Sequence, residues 1–256
     1  LFSLDYVTKG LKVHEVYYSD NILSIYNENI KNKKYDILKC YQVNEKLLGL
    51  VDFHTLHIDL NQPIDSIFSS FSQTTRNEVK RNINKDEVDY IIVEDVSVKE
   101  LDDFMLMFQE FVKFKNLDVD IDNLYLSLKR NLKNIVFFKG VFNDEIIVFN
   151  IYLKDSLRAR LKCSVSIRSD DKVKRNLIGR TNRGICFKAI EYFKDKGYSI
   201  FDLGGISLSD DKDKKNIDSF KSKFGGVLIT EYEGNIPLSL KAKMVFSLYD
   251  IIKKLK

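Results

Sequence analysis

At 256 residues with 44% hydrophobic and 12% aromatic side chains, the chain can form one large domain or two small ones and bury a real core, which excludes a disordered polymer. Lys and Arg outnumber Asp and Glu by 41 to 37, so the chain is only mildly basic. It lacks the profile of a dedicated DNA binder and must meet any anionic partner with a local patch. Apolar runs fall short of the roughly 18 residues that a spanning helix needs, and no signal peptide is visible. Cys40, Cys163 and Cys186 are scattered, and the histidines are confined to His14, His54 and His57. No metal-ligand spacing results, so the expectation is no metal site and reduced thiols in a cytoplasmic protein. The first residue is Leu1 rather than Met, as in a processed or trimmed chain.

Residues 1–34 carry weak signals: a strand over 13–18, a short helix over 21–29 and a polar turn over 29–34. Residues 35–43 alternate loosely and end at Asn44-Glu45, read as a hairpin turn before a long strand over 47–60. Pro63 then opens a helix whose stripe is Ile64, Ile67, Phe68 and Phe71. Its second half, residues 74–81, turns basic, with Arg76 and Lys80 one turn apart on one face. Either this is a solvated face, or the two cations clamp a phosphate or carboxylate.

A strand is expected over 88–93. Ser97 and Glu100 form a capping box before a helix with Leu101, Phe104, Met105, Phe108, Phe111 and Val112 on its apolar stripe. A second helix spans 121–132. Strands over 135–138 and 145–153 flank an Asn143-Asp144 turn, and a third covers 157–166, so this region is antiparallel. In the third strand Arg158, Arg160 and Lys162 alternate with Ala159, Leu161 and Cys163. A basic face on such a strand is either a ligand-lined groove or an exposed sheet face.

A charged loop over 167–182 leads to a helix carrying Ile185, Cys186, Ala189, Ile190 and Phe193, closed by Gly197. A strand, basic loop and helix N-terminus in succession suit phosphates. Next comes the strand Phe201-Asp202-Leu203-Gly204-Gly205, a charged loop, and a short basic helix, Phe220-Lys221-Ser222-Lys223-Phe224-Gly225-Gly226. An acid at a strand end, two lysines and four glycines make an edge where an anion can be held. A strand over 227–232 and a turn at 233–235 follow. The tail, 238–256, is an amphipathic helix with Leu238, Ala242, Val245, Tyr249 and Ile252 on its stripe, widened by Met244, Phe246, Leu248 and Ile251. Its five lysines (241, 243, 253, 254 and 256) face one acid, Asp250. The helix either docks on the domain or contacts an anionic membrane surface.

From residue 88 to 237 this order of elements resembles the GNAT-type N-acyltransferase fold, an α/β (α+β) architecture. Helices there flank a mixed β-sheet that splays open around an acyl thioester or ester. The FDLGGI run at 201–206, FKSKFGG at 220–226 and Glu231-Tyr232-Glu233-Gly234 are similar to the C-terminal signature of the Fem family, the peptidoglycan-bridge aminoacyltransferases. The Thr74-Thr75-Arg76 stretch resembles a segment that precedes the complete GNAT unit in that family. The resemblance implies a reduced N-terminal GNAT-like half over 1–85 and a complete acyltransferase domain over 86–256.

It also implies an acyl-CoA donor such as acetyl-CoA and, as acceptor, the amine of a nucleotide-linked or lipid-linked amino sugar or another bacterial cell-envelope precursor. The alternatives are aminoacyl-tRNA as donor, or a non-catalytic binding module. Asp202 is expected to accept or relay the proton, and Lys221 to neutralise developing charge. Arg76, Lys80, Arg160, Lys162, Lys223 and Tyr232 are the expected substrate contacts. Cys163, Val165 and Ile167 are expected to polarise the carbonyl through backbone N–H groups. Arg175, Gly179 and Arg180 stand in for the pyrophosphate loop. The expected location is cytoplasmic, against the inner face of the membrane where the tail contacts it.

Overall fold

The computed structural model describes residues 1–254 and divides into two compact units, Leu1–Thr55 with the chain from Leu228 onward, and Leu56–Val227. These units differ from the 1–85 and 86–256 division. Residues 56–85 belong with the second unit because Val79 joins its core and Asn82 hydrogen-bonds Thr181. The C-terminal residues return to the first unit, where Gln42 donates to the Glu231 carboxylate at 2.8 Å.

In the first unit, β1 (Phe2–Thr8) and β2 (Leu11–Tyr17) form an antiparallel hairpin around Lys9 and Gly10, both at positive φ. Helix α1 (Ile22–Asn32), capped by the Asn21 side chain on the Ser24 N–H, carries the chain to β3 (Ile37–Val43), which lies parallel to β2. The first half of β4 (Leu50–Asp59) belongs to this unit. The C-terminal strand β10 (Val227–Pro237) lies between β3 and β4, so Asn44-Glu45 does not close a hairpin. Nor do residues 233–235 form a turn. The β3–β10 register slips between Tyr232 and Gly234: Glu233 alone faces Tyr41 and Gln42, so β3 carries the bulge, with Gln42 at positive φ, and β10 continues as strand. Gly234 sits at φ 153°, and a Cβ there would lie 2.8 Å from the Gly49 carbonyl oxygen, so only glycine fits.

Val16, Ile22, Leu38, Cys40, Val43, Leu50 and Ile236 form the core of this unit. Within it, Glu15 is fully buried but accepts from Tyr6 and Tyr17 hydroxyls and lies 3.1 Å from Lys39 Nζ. Burial works to raise this carboxyl, yet Lys39 and the two tyrosines hold it below the usual carboxylate range. The tail forms helix α8 (Leu240–Lys254). Ala242 and half-buried Phe246 dock it on Leu11, Val13, Ile37 and Tyr6, while Val245 and Tyr249, expected on the docked stripe, are exposed. Lys256 lies outside the described residues, as do the side chains of Asp250, Ile252, Lys253 and Lys254.

The second unit begins with the end of β4. Its helices are α2 (Ile64–Ser70), α3 (Gln73–Lys85), α4 (Val98–Lys115), α5 (Ile121–Arg130), α6 (Lys172–Asp195) and α7 (Lys212–Ser222). Its strands are β5 (Asp89–Val93), β6 (Ile135–Phe142), β7 (Glu145–Lys154), β8 (Arg158–Ser166) and β9 (Ile200–Ile206), ordered β4-β9-β8-β7-β6-β5. β6 to β8 are antiparallel, as expected from their short turns; β5, reached across α4 and α5, is antiparallel to β6, and β9 is parallel to β8. Asn143 and Asp144 both take positive φ in the β6–β7 turn, as a two-residue hairpin loop demands.

One sheet face carries Val136, Phe138, Val148 and Tyr152 against Ile185, Ala189 and Phe193 of α6. On the other, Phe149 packs edge-on to Phe104 of α4 and to Phe137, and Phe137 meets Phe104 at a tilt. The Ser97–Glu100 capping box opens α4 as expected.

Three expectations fail locally. The single helix after Pro63 is two helices, because Phe71 turns extended (ψ 150°) and Ser72 caps a new start at Thr75 N–H. Residues 172–182 are helix, not loop: Asp171 caps Lys174 N–H, and buried Leu177, Ile178 and Thr181 extend the stripe of α6 backward. Residues 212–219 likewise belong to α7 rather than to a loop.

Candidate active site

The second unit contains a place where its sheet opens. The parallel ladder of β8 and β9 spans Arg158–Ile200, Ala159–Phe201 and Arg160–Asp202. At that point β8 bulges: Leu161 pairs with Tyr152 and Cys163 with Ile151, so Lys162 is the extra residue. A bulge bends its strand, and here it turns β8 toward β7 and away from β9. Gly204 of β9, at φ 77°, still passes so close that a Cβ would lie 2.7 Å from the Leu161 carbonyl oxygen.

The register decides which β8 amides face the opening. Ile167 N–H donates to Ile147 O across β7 at 3.1 Å. In a regular antiparallel ladder alternate residues point the same way, so Val165 and Cys163 also turn their N–H groups to β7. The amides turned toward the open edge are those of Ser164 and Ser166. The N–H groups of Cys163, Val165 and Ile167, expected at the opening, are thus turned to β7 instead. Ser166, Ile167 and Arg168 also line a cleft of about 690 Å³ with Arg175, Gly179, Asn182 and Arg183 of α6. Arg168 stacks its guanidinium 4.8 Å from the Phe111 ring and 5.5 Å from Phe114.

Asp202 is fully buried at the last rung of the β8–β9 ladder. Its Oδ1 accepts the Gly204 N–H at 2.7 Å, and its Oδ2 lies 3.5 Å from His57 Nε2 and 3.8 Å from Arg158. Arg158, Arg160 and Asp202 share one sheet face by strand alternation, and both arginine side chains are buried. The two arginines of the basic face of β8 are thus buried, while Lys162 at the bulge is partly exposed.

Lys221 approaches from α7. Its Nζ donates to the Gly205 carbonyl at 2.6 Å and lies 3.5 Å from where a Gly204 Cβ would be. Helix α7 is aimed by Asp218, one turn earlier, whose carboxylate accepts from Ser207 N–H, Ser207 Oγ and Leu208 N–H. Burial, and then the positive charge of Arg160, push the Lys221 amine down to about 8, against the pull of Asp202 and Asp218. A lysine of that kind is partly neutral near physiological pH, so it can accept a proton as well as donate one.

The other expected site residues separate into groups. Arg175 folds back to donate to Asp170 O at 2.6 Å and closes the loop before α6. Arg180 forms a two-pronged bond to Asp86 at 2.6 and 2.9 Å. Burial works to raise Asp86, but its hydrogen bonds to Arg180 and Asn82 hold it below the usual range. Gly179 lies within α6, so no pyrophosphate loop exists at 175–184. Gly184 is explained by packing instead: a Cβ there would lie 2.1 Å from Asn82 Oδ1 and from Tyr90 OH.

Arg76 donates to the Ser69 and Phe71 carbonyls and staples α2 to α3. Lys80 is exposed, 5.7 Å from the Phe68 ring. Lys223 is exposed beyond α7, its carbonyl accepting from Ser72 N–H. Tyr232 is in the first unit, where it packs against that core under Lys46. The structure therefore gathers Asp202, Lys221, Arg160 and the β8 amides, and leaves Arg76, Arg180 and Lys223 with local structural bonds. His57, Arg183 and Asp218 escape a reading of the sequence, since single polar residues without a motif carry no signal, whereas Arg168 belongs to the basic stretch read there as suited to phosphates.

The fold these elements define is a mixed α/β sheet, splayed and flanked by helices, as expected above. It matches solved structures. FemX shares 11% identity over 96% of this chain and 85% of its own, with a TM-score of 0.61. The C-terminal domain of a protein described as a lysylphosphatidylglycerol synthetase, from Agrobacterium fabrum, shares 13% over 98% and 88%, with a TM-score of 0.56. L-PGS from Bacillus licheniformis shares 14% over 95% and 87%, with a TM-score of 0.51. At these identities the likeness is one of fold. No family model and no curated protein sequence matches the chain.

Proposed function

We propose that this chain is an N-acyltransferase that moves an acyl group from an activated carrier to an amine of a cell-envelope precursor. The observation that carries the reading is Lys221: a buried amine held at about 8, beside the strand edge where β8 leaves β9. The fold it shares with FemX and with a lysylphosphatidylglycerol synthetase domain supports the same class.

In this reading the acyl carbonyl lies against one amide of the open edge, that of Ser164 or of Ser166, which stabilises the oxyanion of the tetrahedral intermediate. The acceptor nitrogen forms the new N–C bond. Its surplus proton passes to neutral Lys221, the carbonyl re-forms as the C–S or C–O bond to the carrier breaks, and the Lys221 ammonium returns that proton to the departing sulfur or oxygen. Asp202 is a positioning residue here, since burial between Arg158 and His57 and its bond to Gly204 N–H fix the strand end that Lys221 touches.

The first donor is an acyl-CoA. Arg168 and the N-terminus of α6 face its phosphates, and the acceptor is a nucleotide-linked or lipid-linked amino sugar. One observation favours a second donor, an aminoacyl-tRNA: Arg81, Arg175, Arg180 and Arg183 line a concave surface along α3 and α6, and Arg175 and Arg183 also line the cleft. Both carriers place the reaction on the cytoplasmic side of the envelope.

The test incubates purified protein with acetyl-CoA and an amino-sugar nucleotide, and separately with aminoacyl-tRNA and a peptidoglycan precursor, each with and without ribonuclease. Turnover with one donor, rising as the pH passes through about 8 and losing that rise in Lys221→Met, is the expected result. Equal turnover by wild type and Lys221→Met refutes the assignment.

A further inference from the structure

Helix α8 carries two apolar stripes. At 100° per residue, Ala242 and Phe246 lie within 40° of each other and form the stripe that docks on Leu11, Val13 and Ile37. Leu240, Met244, Leu248 and Ile251 recur at intervals of 4, 4 and 3 residues on the opposite side. They are exposed at 80%, 63%, 60% and 54% of their surface. An ordinary docked helix turns charged or polar residues to solvent on that side. Here the outward stripe is apolar, and exposed Lys241 and Lys243 border it on either flank, Lys241 donating to the Gly10 carbonyl at 2.8 Å. The sequence continues with Lys253, Lys254 and Lys256, against the single acid Asp250.

We propose that this outward face of α8 is a docking surface for an anionic lipid bilayer, with the helix lying in the interface plane, its stripe in the acyl boundary and its lysines at the headgroups. The pattern is that of an interfacial helix, apolar along one line and cationic beside it. It argues against the simplest other occupant, the same helix of a second copy. Four side chains of this size offer on the order of 400 Å², about half of what each partner of a stable dimer contributes. A second copy would also set Lys241 and Lys243 against like charges, whereas an anionic surface complements them. No described helix is long and apolar enough to cross a membrane, so the contact is peripheral. The proposal does not depend on acyl transfer.

The test is co-sedimentation of the full 256-residue chain with vesicles of phosphatidylglycerol and phosphatidylcholine, compared with phosphatidylcholine alone. The double variant Met244→Gln, Leu248→Gln changes only exposed side chains, and circular dichroism verifies its folding. Binding to the anionic vesicles is expected, at least tenfold weaker in the double variant and weakened by Lys243→Glu or by high salt. Three results overturn the proposal: no binding to anionic vesicles, binding unchanged by the double variant, or equal binding to neutral vesicles. A dimer in sedimentation velocity that the double variant dissociates, without vesicle binding, assigns the face to a second copy instead.

Discussion

Replacing Lys221 with Met removes a charge that the folded protein holds at a cost, and the size of that cost is set by the difference between the folded and unfolded amine. The ordinary lysine value is 10.5, and burial beside Arg160 brings Lys221 to about 8. Because the folded value is the lower one, the unfolded chain binds the proton more tightly. Lys221 therefore destabilises the fold fully below pH 8, and the penalty fades as the pH rises through 8 toward 10.5. At about 1.4 kcal/mol per pH decade the penalty at pH 7 is about 3 kcal/mol, and by pH 10 it falls to below about 1. Lys221→Met also loses the bond to Gly205 O, a cost that does not vary with pH. The difference in unfolding free energy between variant and wild type should therefore move by about 2–3 kcal/mol in favour of wild type between pH 7 and pH 10. Every other lysine titrates alike in both proteins and cancels. Urea unfolding at a series of pH values reads this directly. A difference that stays flat across the range refutes a depressed Lys221, and with it the proton-transfer role.

Two further outcomes follow from packing and charge. Asp86→Asn breaks the paired bond to Arg180, whose side chain is 12% exposed, and leaves a half-buried cation, so a loss of about 3 kcal/mol is expected in denaturant unfolding at pH 7. The lowered Asp86 value means that its contribution is present above the ordinary carboxylate range and disappears as the pH falls through the folded value. Wild type and variant should therefore converge in strong acid. Gly184→Ala places a methyl 2.1 Å from Asn82 Oδ1 and Tyr90 OH, where α6 crosses α3 and β5. A loss of about 1–3 kcal/mol is expected as a fall in Tm, and an unchanged Tm would show that this contact is looser than described.

Local pattern determined much of this protein without the fold. The capping box at Ser97 and Glu100, the Asn143-Asp144 turn, and the strands over 135–166 rest on neighbours a few residues apart, and all form. The strand through Asp202 was also legible, because an alternating run is a short-range signal, but it does not end at the double glycine: β9 continues through Gly204 and Gly205 to Ile206. Tertiary structure decided what depended on distant partners. β10 enters between β3 and β4, so a plausible hairpin at Asn44-Glu45 never closes.

The basic stretch after Ile167 reads as a loop until Leu177, Ile178 and Thr181 find the sheet to pack on, and then it is helix. A slip of one residue at Lys162 opens β8 from β9 and selects Ser164 and Ser166, rather than Cys163 and Val165, as the amides at the open edge. The Lys221 amine is set by what surrounds it: burial, Arg160, Asp202 and Asp218 come from three other places in the chain. Periodicity reports which side of an element is apolar. It takes the assembled fold to show which apolar side is covered, which amide is left over, and which charge has lost its water.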